Sequence, residues 1–266
     1  ISERSYASYT IVMRIVVCIK QVPSREAPLQ VDKAQLWLEP QDTRYESNEA
    51  DQYALEHALC IKDRVGAEII VLSLGPTRVQ QVIKEALAKG ADRAIHINHD
   101  QAETLDPYQQ ASAIAEAVAK LDIDLLLCGL QSDDMGFAQT GVMLAACLKL
   151  PHVSMVVEME HQSGKFRVNR ELESGWTQWH RISSPCVLSI QSGNIKPRYS
   201  NMKGILAAKK KPQQTISYSD LNANNIQVSQ KLVHLFAPQK SKKARFIEGS
   251  EEQIASDLLK TLRIHP

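Results

Sequence analysis

The hydrophobic positions in the first half of the chain alternate between two kinds of segment. Short runs of consecutive apolar residues, typical of strands buried on both faces of a parallel sheet, cover residues 13–19, 68–74, 94–97 and 125–128. Between and after them, apolar residues recur at helical spacing in the segments that begin near residues 48, 77, 106 and 140. Because βαβ crossovers are right-handed, this alternation predicts an α/β fold with a doubly wound, mostly parallel sheet covered by helices.

Turn and cap residues mark the ends of these segments. Asn48 is suited to the N-cap of the first helix, with Asp51 three residues further on. Lys89-Gly90 is typical of a helix C-terminus. After the first strand we expect the chain to turn out of the sheet at residues 20–23, and residues 30–38 to add a small hairpin.

After Pro151 the pattern changes to strands that follow one another without helices. The segments 152–159, 165–172, 176–181 and 186–190 read as added β-hairpins, with turns at Gly164 and Ser174-Gly175. Trp176 and Trp179 are three residues apart in one predicted strand and should therefore point to opposite faces, one of them into the core.

From Gly193 onward the chain is polar and basic, with few residues able to build a core. Residues 253–262 form an amphipathic pattern at its end, with Ile254, Leu258, Leu259 and Leu262 on one face. We therefore predict three parts: an upstream extension at 1–12, an α/β nucleotide-binding domain at 13–192, and an extended C-terminal arm at 193–266 that ends in a helix and lies on a partner.

Charge and composition exclude several classes of function. The 31 basic and 30 acidic residues nearly cancel, so no global field attracts nucleic acid, and the basic runs at 209–211 and 240–245 lack interleaved aromatic residues. The sequence contains no apolar run long enough to predict insertion into a membrane. Five widely spaced cysteines fit a reducing compartment, and the eight histidines show no metal-ligand spacing, so we expect no metal.

The polar loop between the predicted strand at 125–128 and the predicted helical run at 142–148 is the best candidate site. In an open parallel sheet, such a loop presents free backbone N–H groups and a positive helix end, which suit a phosphate. Gln139-Thr140-Gly141 lies at that helix start. The alternative is an ordinary capped helix after a polar turn.

Several motifs together resemble the small (beta) subunit of electron transfer flavoproteins. They occur in the family's order and spacing: VVCIKQVP at 16–23, SLGP at 73–76, ALAKGADR at 86–93, QTG at 139–141, VNRELESG at 168–175, and KPRY at 196–199 with AKKK at 208–211. The resemblance implies an adenine nucleotide hydrolase-like fold, an alpha subunit as partner, and FAD held mainly by that partner. It also implies a structural AMP in this chain and no catalytic site of its own.

The resemblance assigns residues to two surfaces. The AMP site would comprise Cys18, Asn48, Glu49, Ala50, Asp51, Leu74, Gly129, Gln131, Asp134, Ala138, Gln139 and Thr140. The loop at 138–140 would hold the phosphate, and Cys18 and Leu74 would enclose the adenine. Asp133 and Asp134 suit a phosphate poorly unless they point away or cap the loop. The partner-binding residues would be Glu171, Arg198, Tyr199, Met202 and Ile205.

Two of those partner-binding assignments have an ordinary alternative. Met202 stands where the family has an exposed leucine on a recognition loop, which would dock a flavin-dependent dehydrogenase transiently. Methionines mostly pack inward on their own subunit, however. Glu171 lies in a predicted strand, where a carboxylate is usually just solvated.

Alternative functions differ in the chemistry they require. Members that bifurcate electrons hold a second FAD in place of AMP and carry an Asp-Gly-Asp-Thr type of loop, whereas residues 131–138 here read QSDDMGFA, which favours the non-bifurcating kind. A stand-alone nucleotide-binding regulator resembling universal stress proteins would end near residue 150. An adenylating enzyme would need a Ser/Gly-rich phosphate loop after the first strand.

The expected compartment is the cytoplasm of a bacterium or the mitochondrial matrix of a eukaryote.

Overall fold

A computed structural model describes residues 13–26, 28–34, 36–39, 43–162, 164–238, 244 and 246–263. The predicted extension at 1–12 and most of the basic run at 240–245 lie outside these ranges. The strands are β1 (Met13–Cys18), β2 (Gln21–Pro23), β3 (Tyr45–Ser47), β4 (Ala67–Gly75), β5 (Arg93–Asn98), β6 (Leu125–Gly129), β7 (His152–Gln162), β8 (Lys165–Glu171), β9 (Thr177–Ser183), β10 (Cys186–Ile190) and β11 (Gln213–Ser217). The α-helices are α1 (Glu49–Val65), α2 (Gln80–Lys89), α3 (Pro107–Val118), α4 (Thr140–Leu148), α5 (Met202–Ala208) and α6 (Glu251–Arg263).

Nine of these strands form one sheet, in the order β11-β5-β4-β1-β6-β10-β7-β8-β9. The first seven in that order pair in parallel, and β8 and β9 extend the sheet as antiparallel hairpin strands. The chain runs outward from β1 through β4 to β5 and then returns to place β6 on the other side of β1. The predicted doubly wound α/β class is confirmed, and its topological switch point lies between β1 and β6.

Two apolar clusters, one on each face of the sheet, hold the fold together. One face of the central strands packs Ile15 and Val17 against α1 and α2, and the other packs Val16 and Leu126 against α3 and α4. Consecutive residues of β1 therefore point to opposite faces and are buried on both, which explains the uninterrupted apolar runs in the sequence. The capping box between Asp106 and Gln109 starts α3 after β5.

Several local expectations are confirmed, and others need correction. The small hairpin at 30–38 is present as one antiparallel bridge between Val31 and Leu38. The segment at 20–23 leaves the main sheet as expected but also forms β2, which pairs with β3 in a separate two-stranded sheet. The expectation that a tryptophan lies in the core is wrong. Trp176 is 73% exposed and Trp179 38% exposed, because the hairpin uses Phe166, Val168 and Ile182 for its buried face instead.

Two elements within the expected arm were not predicted. Residues 213–217 form β11, which adds a parallel edge strand beside β5, and residues 202–208 form α5 where a loop was expected. The Asn201 side chain caps α5 by accepting a hydrogen bond from the Gly204 N–H at 2.8 Å. Gly204 lies against the Ala88 carbonyl of α2, and a Cβ at this position would collide with it. The close packing of α5 on α2 therefore requires glycine here.

Candidate functional site

A cleft opens at the carboxyl ends of β1 and β6, where the strand order reverses. Ten of the twelve residues predicted for the nucleotide line it: Cys18, Asn48, Asp51, Leu74, Gly129, Gln131, Asp134, Ala138, Gln139 and Thr140. Glu49 and Ala50 do not. Glu49 forms an ion pair with Arg25 at 3.0 Å, and Ala50 packs beside Gly129. The topology thus gathers residues from four separate stretches of chain at the place where open α/β sheets bind ligands.

Asp51 joins the two strand ends that form the cleft. Its Oδ2 accepts a hydrogen bond from the Lys20 N–H at 2.8 Å, and its Oδ1 accepts one from the Gly129 N–H at 2.7 Å. A side chain on Gly129 would occupy the place of that carboxylate, so glycine is required. Burial raises the pKa of Asp51 to about 6, although the two backbone hydrogen bonds oppose the shift.

Asn48 holds the loop that follows β6 rather than capping its own helix. It stands at the N-cap position of α1, as predicted, but its side chain makes no capping hydrogen bond. Instead Nδ2 donates to the Gln131 carbonyl and Oδ1 accepts from the Asp133 N–H, both at 3.0 Å. The capping role expected for the side chain is therefore wrong, because the neighbouring loop offers it two backbone partners.

The two loop carboxylates are both paired with cations of the segment after β1. Asp134 binds the Lys20 ammonium at 2.7 Å and caps the Met135 N–H at 2.8 Å. Asp133 binds the Arg25 guanidinium at 2.6 Å. These pairs neutralise charges that would otherwise repel an anion in the cleft.

The start of α4 supplies the donors for such an anion. Thr140 is its first residue, and no side chain caps the helix at Gln139, so the N–H groups of its first turn are available to a ligand. Ala138 has a left-handed backbone with φ of 54°, which brings the chain into the helix. Gly141 lies against Ser189 and Cys128, where a Cβ would collide with both side chains.

The part of the cleft wall formed by Cys18, Leu74 and Cys128 is apolar and uncharged. Leu74 and Cys18 lie at the ends of adjacent strands, and the buried Cys128 lines the cleft from β6 on the other side of β1. Burial raises the pKa of the Cys18 thiol well above its usual range and that of Cys128 to about 12. Both thiols are therefore neutral at physiological pH and act as small apolar surfaces.

One side of the cleft was not anticipated from the sequence. It consists of Gln21, Trp37, Tyr45, Arg78 and Glu103. The Arg78 guanidinium stacks over the Tyr45 ring at 4.1 Å and pairs with Glu103. These residues come from β2, β3, the small hairpin between them and the turns after β4 and β5, and no spacing in the sequence connects them.

Four buried polar atoms that belong to cleft residues have no hydrogen-bond partner in the described structure. They are Gln21 Oε1, Trp37 Nε1, Arg78 Nε and Gln139 Oε1. Buried polar groups are nearly always paired. Four of the eleven such atoms in the described residues belong to this cleft, and they include both donors and acceptors, which suits a polar ligand. No group of three or more metal-binding side chains occurs in the part of the chain that the structure describes.

The residues predicted to bind a partner divide into two kinds. Tyr199 is 86% exposed, Met202 73% and Ile205 42%, and neighbouring Leu206, which was not predicted, is also exposed. Arg198 instead binds within its own chain. Its guanidinium pairs with Glu56 at 2.8 Å and Asp63 at 2.9 Å. Arg198 therefore fixes the start of the exposed segment at 199–206 to α1.

Glu171 also has a partner within the chain. Its Oε2 accepts a hydrogen bond from the Gln191 amide at 2.7 Å.

Comparison with known proteins decides the family. Residues 35–221 match the model of the electron transfer flavoprotein domain. The chain belongs to the electron transfer flavoprotein family. It is 33% identical to the electron transfer flavoprotein subunit beta of Methylophilus methylotrophus, over 94% of this chain and 98% of that protein. The human subunit beta is 31% identical over 80% of this chain and 84% of its own length.

A third relative of this electron transfer flavoprotein chain is itself named as a subunit of a reductase. The acryloyl-CoA reductase electron transfer subunit gamma of Anaerotignum propionicum is 30% identical, over 79% of each chain. The resemblance stated from the motifs is thereby confirmed for the beta subunit. None of the helices that the structure describes is long and apolar enough to cross a bilayer.

Proposed function

We propose that this chain is the beta subunit of a heterodimeric electron transfer flavoprotein and binds one structural AMP. The observation that supports this is the cleft at the switch point of the sheet. It combines the uncapped N-terminus of α4, apolar walls at Cys18 and Leu74, and unpaired polar atoms at its far side. Relatives over nearly the whole chain are beta subunits.

The charges of the cleft favour a single phosphate over a pyrophosphate. Lys20 and Arg78 are the basic residues among its lining, and each is already paired with a carboxylate of the same lining, Asp134 and Glu103. Backbone N–H groups at α4 then remain to hold a phosphate, which suits AMP. A second FAD, as in electron-bifurcating members, carries two phosphates and would need more positive charge than this lining offers.

The redox chemistry would come from FAD bound mainly by the alpha subunit, which accepts electrons from a flavin-dependent dehydrogenase and passes them onward. This chain contributes structure and docking. The nucleotide cleft would stabilise the domain, the surface around Met202 would dock the dehydrogenase, and α6 would pack against the alpha subunit. Free cysteines at all five positions suit the cytoplasm or the mitochondrial matrix.

Purification together with the alpha subunit tests this function. The complex should contain one FAD and one AMP per heterodimer, measured by extraction, chromatography and absorbance. Two FAD and no AMP would establish the bifurcating type instead. A complex without any adenine nucleotide outside FAD would contradict the assignment of the cleft.

A further inference from the structure

The exposed segment at 199–206 begins next to an ion pair whose acidic partner is buried. Glu56 on α1 is only 6% exposed. Its carboxylate accepts hydrogen bonds from the Arg198 backbone N–H at 2.9 Å, from the side-chain Nε at 3.0 Å and from Nη2 at 2.8 Å. Because one carboxylate binds both the main chain and the planar guanidinium of Arg198, it fixes the direction in which the chain enters the segment.

The other end of the segment is held on α2. Gly204 lies against the Ala88 carbonyl, where a Cβ would collide. Beyond α5, the Lys211 ammonium donates to the carbonyl oxygens of Leu87 at 2.8 Å and Ala91 at 2.5 Å, at the C-terminal end of α2. The segment is therefore attached to α1 before it and to α2 behind and after it, while its apolar side chains stay exposed.

We propose that Glu56 is a positioning residue for docking, which acts through Arg198 to hold the segment at 199–206 in the form that binds a flavin-dependent dehydrogenase. This inference rests on the docking role proposed for the surface around Met202. A segment that is already ordered loses less conformational entropy on binding than one that the partner must order. Without the Glu56 charge, Arg198 would keep only Asp63, whose side chain is 60% exposed and whose ion pair contributes little.

Steady-state kinetics of the whole heterodimer with a dehydrogenase test this role. Glu56→Gln keeps the size of the side chain and one acceptor oxygen but removes the charge. It should raise the Michaelis constant for the flavoprotein by roughly three- to tenfold, because binding must then also order the segment. The kcat should stay the same, since the partner restores the docked form at saturation. Reduction of the flavin by dithionite, which needs no docking, should proceed at the unmodified rate.

Glu68→Gln is the matched control, because Glu68 also joins two parts of the chain through arginine. Its carboxylate pairs with Arg14 and with Arg93, each at 2.6 Å, between neighbouring strands of the sheet. Glu68→Gln should lower the melting temperature without changing the Michaelis constant. Asp63→Asn removes only the exposed partner of Arg198 and should change that constant by about twofold at most.

A double variant shows whether Glu56 acts through the docking surface. In a Met202→Ala background, Glu56→Gln should add little to the Michaelis constant, since the two changes affect one interaction. Should Glu56→Gln fold poorly, Arg198→Lys, which keeps the charge but loses the planar guanidinium, should give the same rise in the Michaelis constant at constant kcat.

The possible failures can be told apart. A Michaelis constant that rises in Met202→Ala but not in Glu56→Gln overturns the role of Glu56 and leaves the docking surface intact. No rise in either variant overturns both proposals. Equal rises in Glu56→Gln and Glu68→Gln would reflect general destabilisation and would also overturn the positioning role.

Discussion

At the scale of single residues, Asp51 shows how a buried charge shapes the cleft. It joins β1 to β6 through two backbone N–H groups, at 2.8 and 2.7 Å, and it is almost fully buried. Its pKa is raised from 3.8 to about 6, chiefly by burial. The folded protein therefore binds the Asp51 proton more tightly than the unfolded chain does.

The first prediction follows from that shift. As pH rises from about 4 to about 6, the folded state keeps a proton that the unfolded state has released, so stability should fall by about 3 kcal/mol through this group. Asp51→Asn removes the titration and also loses one of the two backbone acceptors. Urea unfolding of the heterodimer should show that the stability advantage of the unmodified protein over Asp51→Asn shrinks across this range. Asp122→Asn, at an exposed position outside any helix or strand, is the control, and its stability should show the same pH dependence as that of the unmodified protein.

His57 should respond to pH in the opposite direction. It is 4% exposed on α1, its Nε2 has no partner, and burial lowers its pKa to about 4. The unfolded chain takes up a proton near the ordinary value of 6.5, so stability should fall by about 3 kcal/mol as pH drops from about 6.5 to about 4. His57→Gln should remove this loss in the same unfolding experiment. His180→Gln, on the half-exposed strand β9, is the control and should lose stability at low pH as the unmodified protein does. If both variants still lost stability steeply between pH 6.5 and pH 4, another group would be responsible for the loss.

Thr140 tests the phosphate end of the cleft. Thr140→Val deletes the hydroxyl and keeps the volume, so AMP binding should weaken by about 1–3 kcal/mol if the hydroxyl binds a buried phosphate oxygen. AMP content after purification should fall, and electron transfer measured with a dehydrogenase should persist because the flavin lies elsewhere. Unchanged AMP content together with lost electron transfer would assign Thr140 to the flavin side instead.

At the scale of secondary structure elements, α5 presents the exposed surface around Met202. Asn201 caps the helix, Gly204 seats it on α2, and Arg198 fixes the preceding segment to Glu56. The helix is therefore held on its own subunit by residues other than those it exposes. Met202 and Leu206 remain outward, at 73% and 59% exposure.

This arrangement predicts that Met202 contributes to docking and not to stability. Met202→Ala should raise the Michaelis constant for the flavoprotein by on the order of tenfold in a dehydrogenase-coupled assay, as expected for an anchor contributing about 1.4 kcal/mol or more. The melting temperature and AMP content should not change. Arg198→Ala is the contrasting variant, because losing its bonds to the buried Glu56 carboxylate should lower the melting temperature. A lower melting temperature with normal coupling in Met202→Ala would place Met202 in a structural role.

The central elements could be predicted from the sequence because burial on both faces imposes a continuous apolar run, as in β1 and β6. The loop between β6 and α4 could be predicted because strand, loop and helix follow one another directly. Strand β11 could not, since an edge strand exposes one side and its sequence QQTIS needs few apolar residues. The side of the cleft lined by Gln21, Trp37 and Arg78 also escaped prediction, because these residues line one cleft only through the tertiary fold.

At the scale of the whole molecule, the C-terminal part of the chain carries apolar surface that this subunit leaves exposed. On α6, four residues of one face are 37% to 64% exposed: Ile254, Leu258, Leu259 and Leu262. Phe236 and Phe246 before it are 66% and 85% exposed. Clustered exposed apolar residues of this kind mark protein interfaces.

The last prediction concerns the subunit without its partner. Expressed alone, the chain should aggregate or unfold more readily than in the heterodimer, because the apolar side chains of α6, Phe236 and Phe246 are exposed and would be covered by a partner. It should also hold no stoichiometric FAD, since the partner is expected to make most flavin contacts. Light scattering, thermal unfolding and flavin absorbance of the isolated subunit and the heterodimer measure these differences. A variant with Leu258→Ser and Leu259→Ser should be more soluble alone but should fail to join the alpha subunit. A stable monomer with full flavin occupancy, or a double variant that still assembles normally, would show that α6 is not the element that holds the two subunits together.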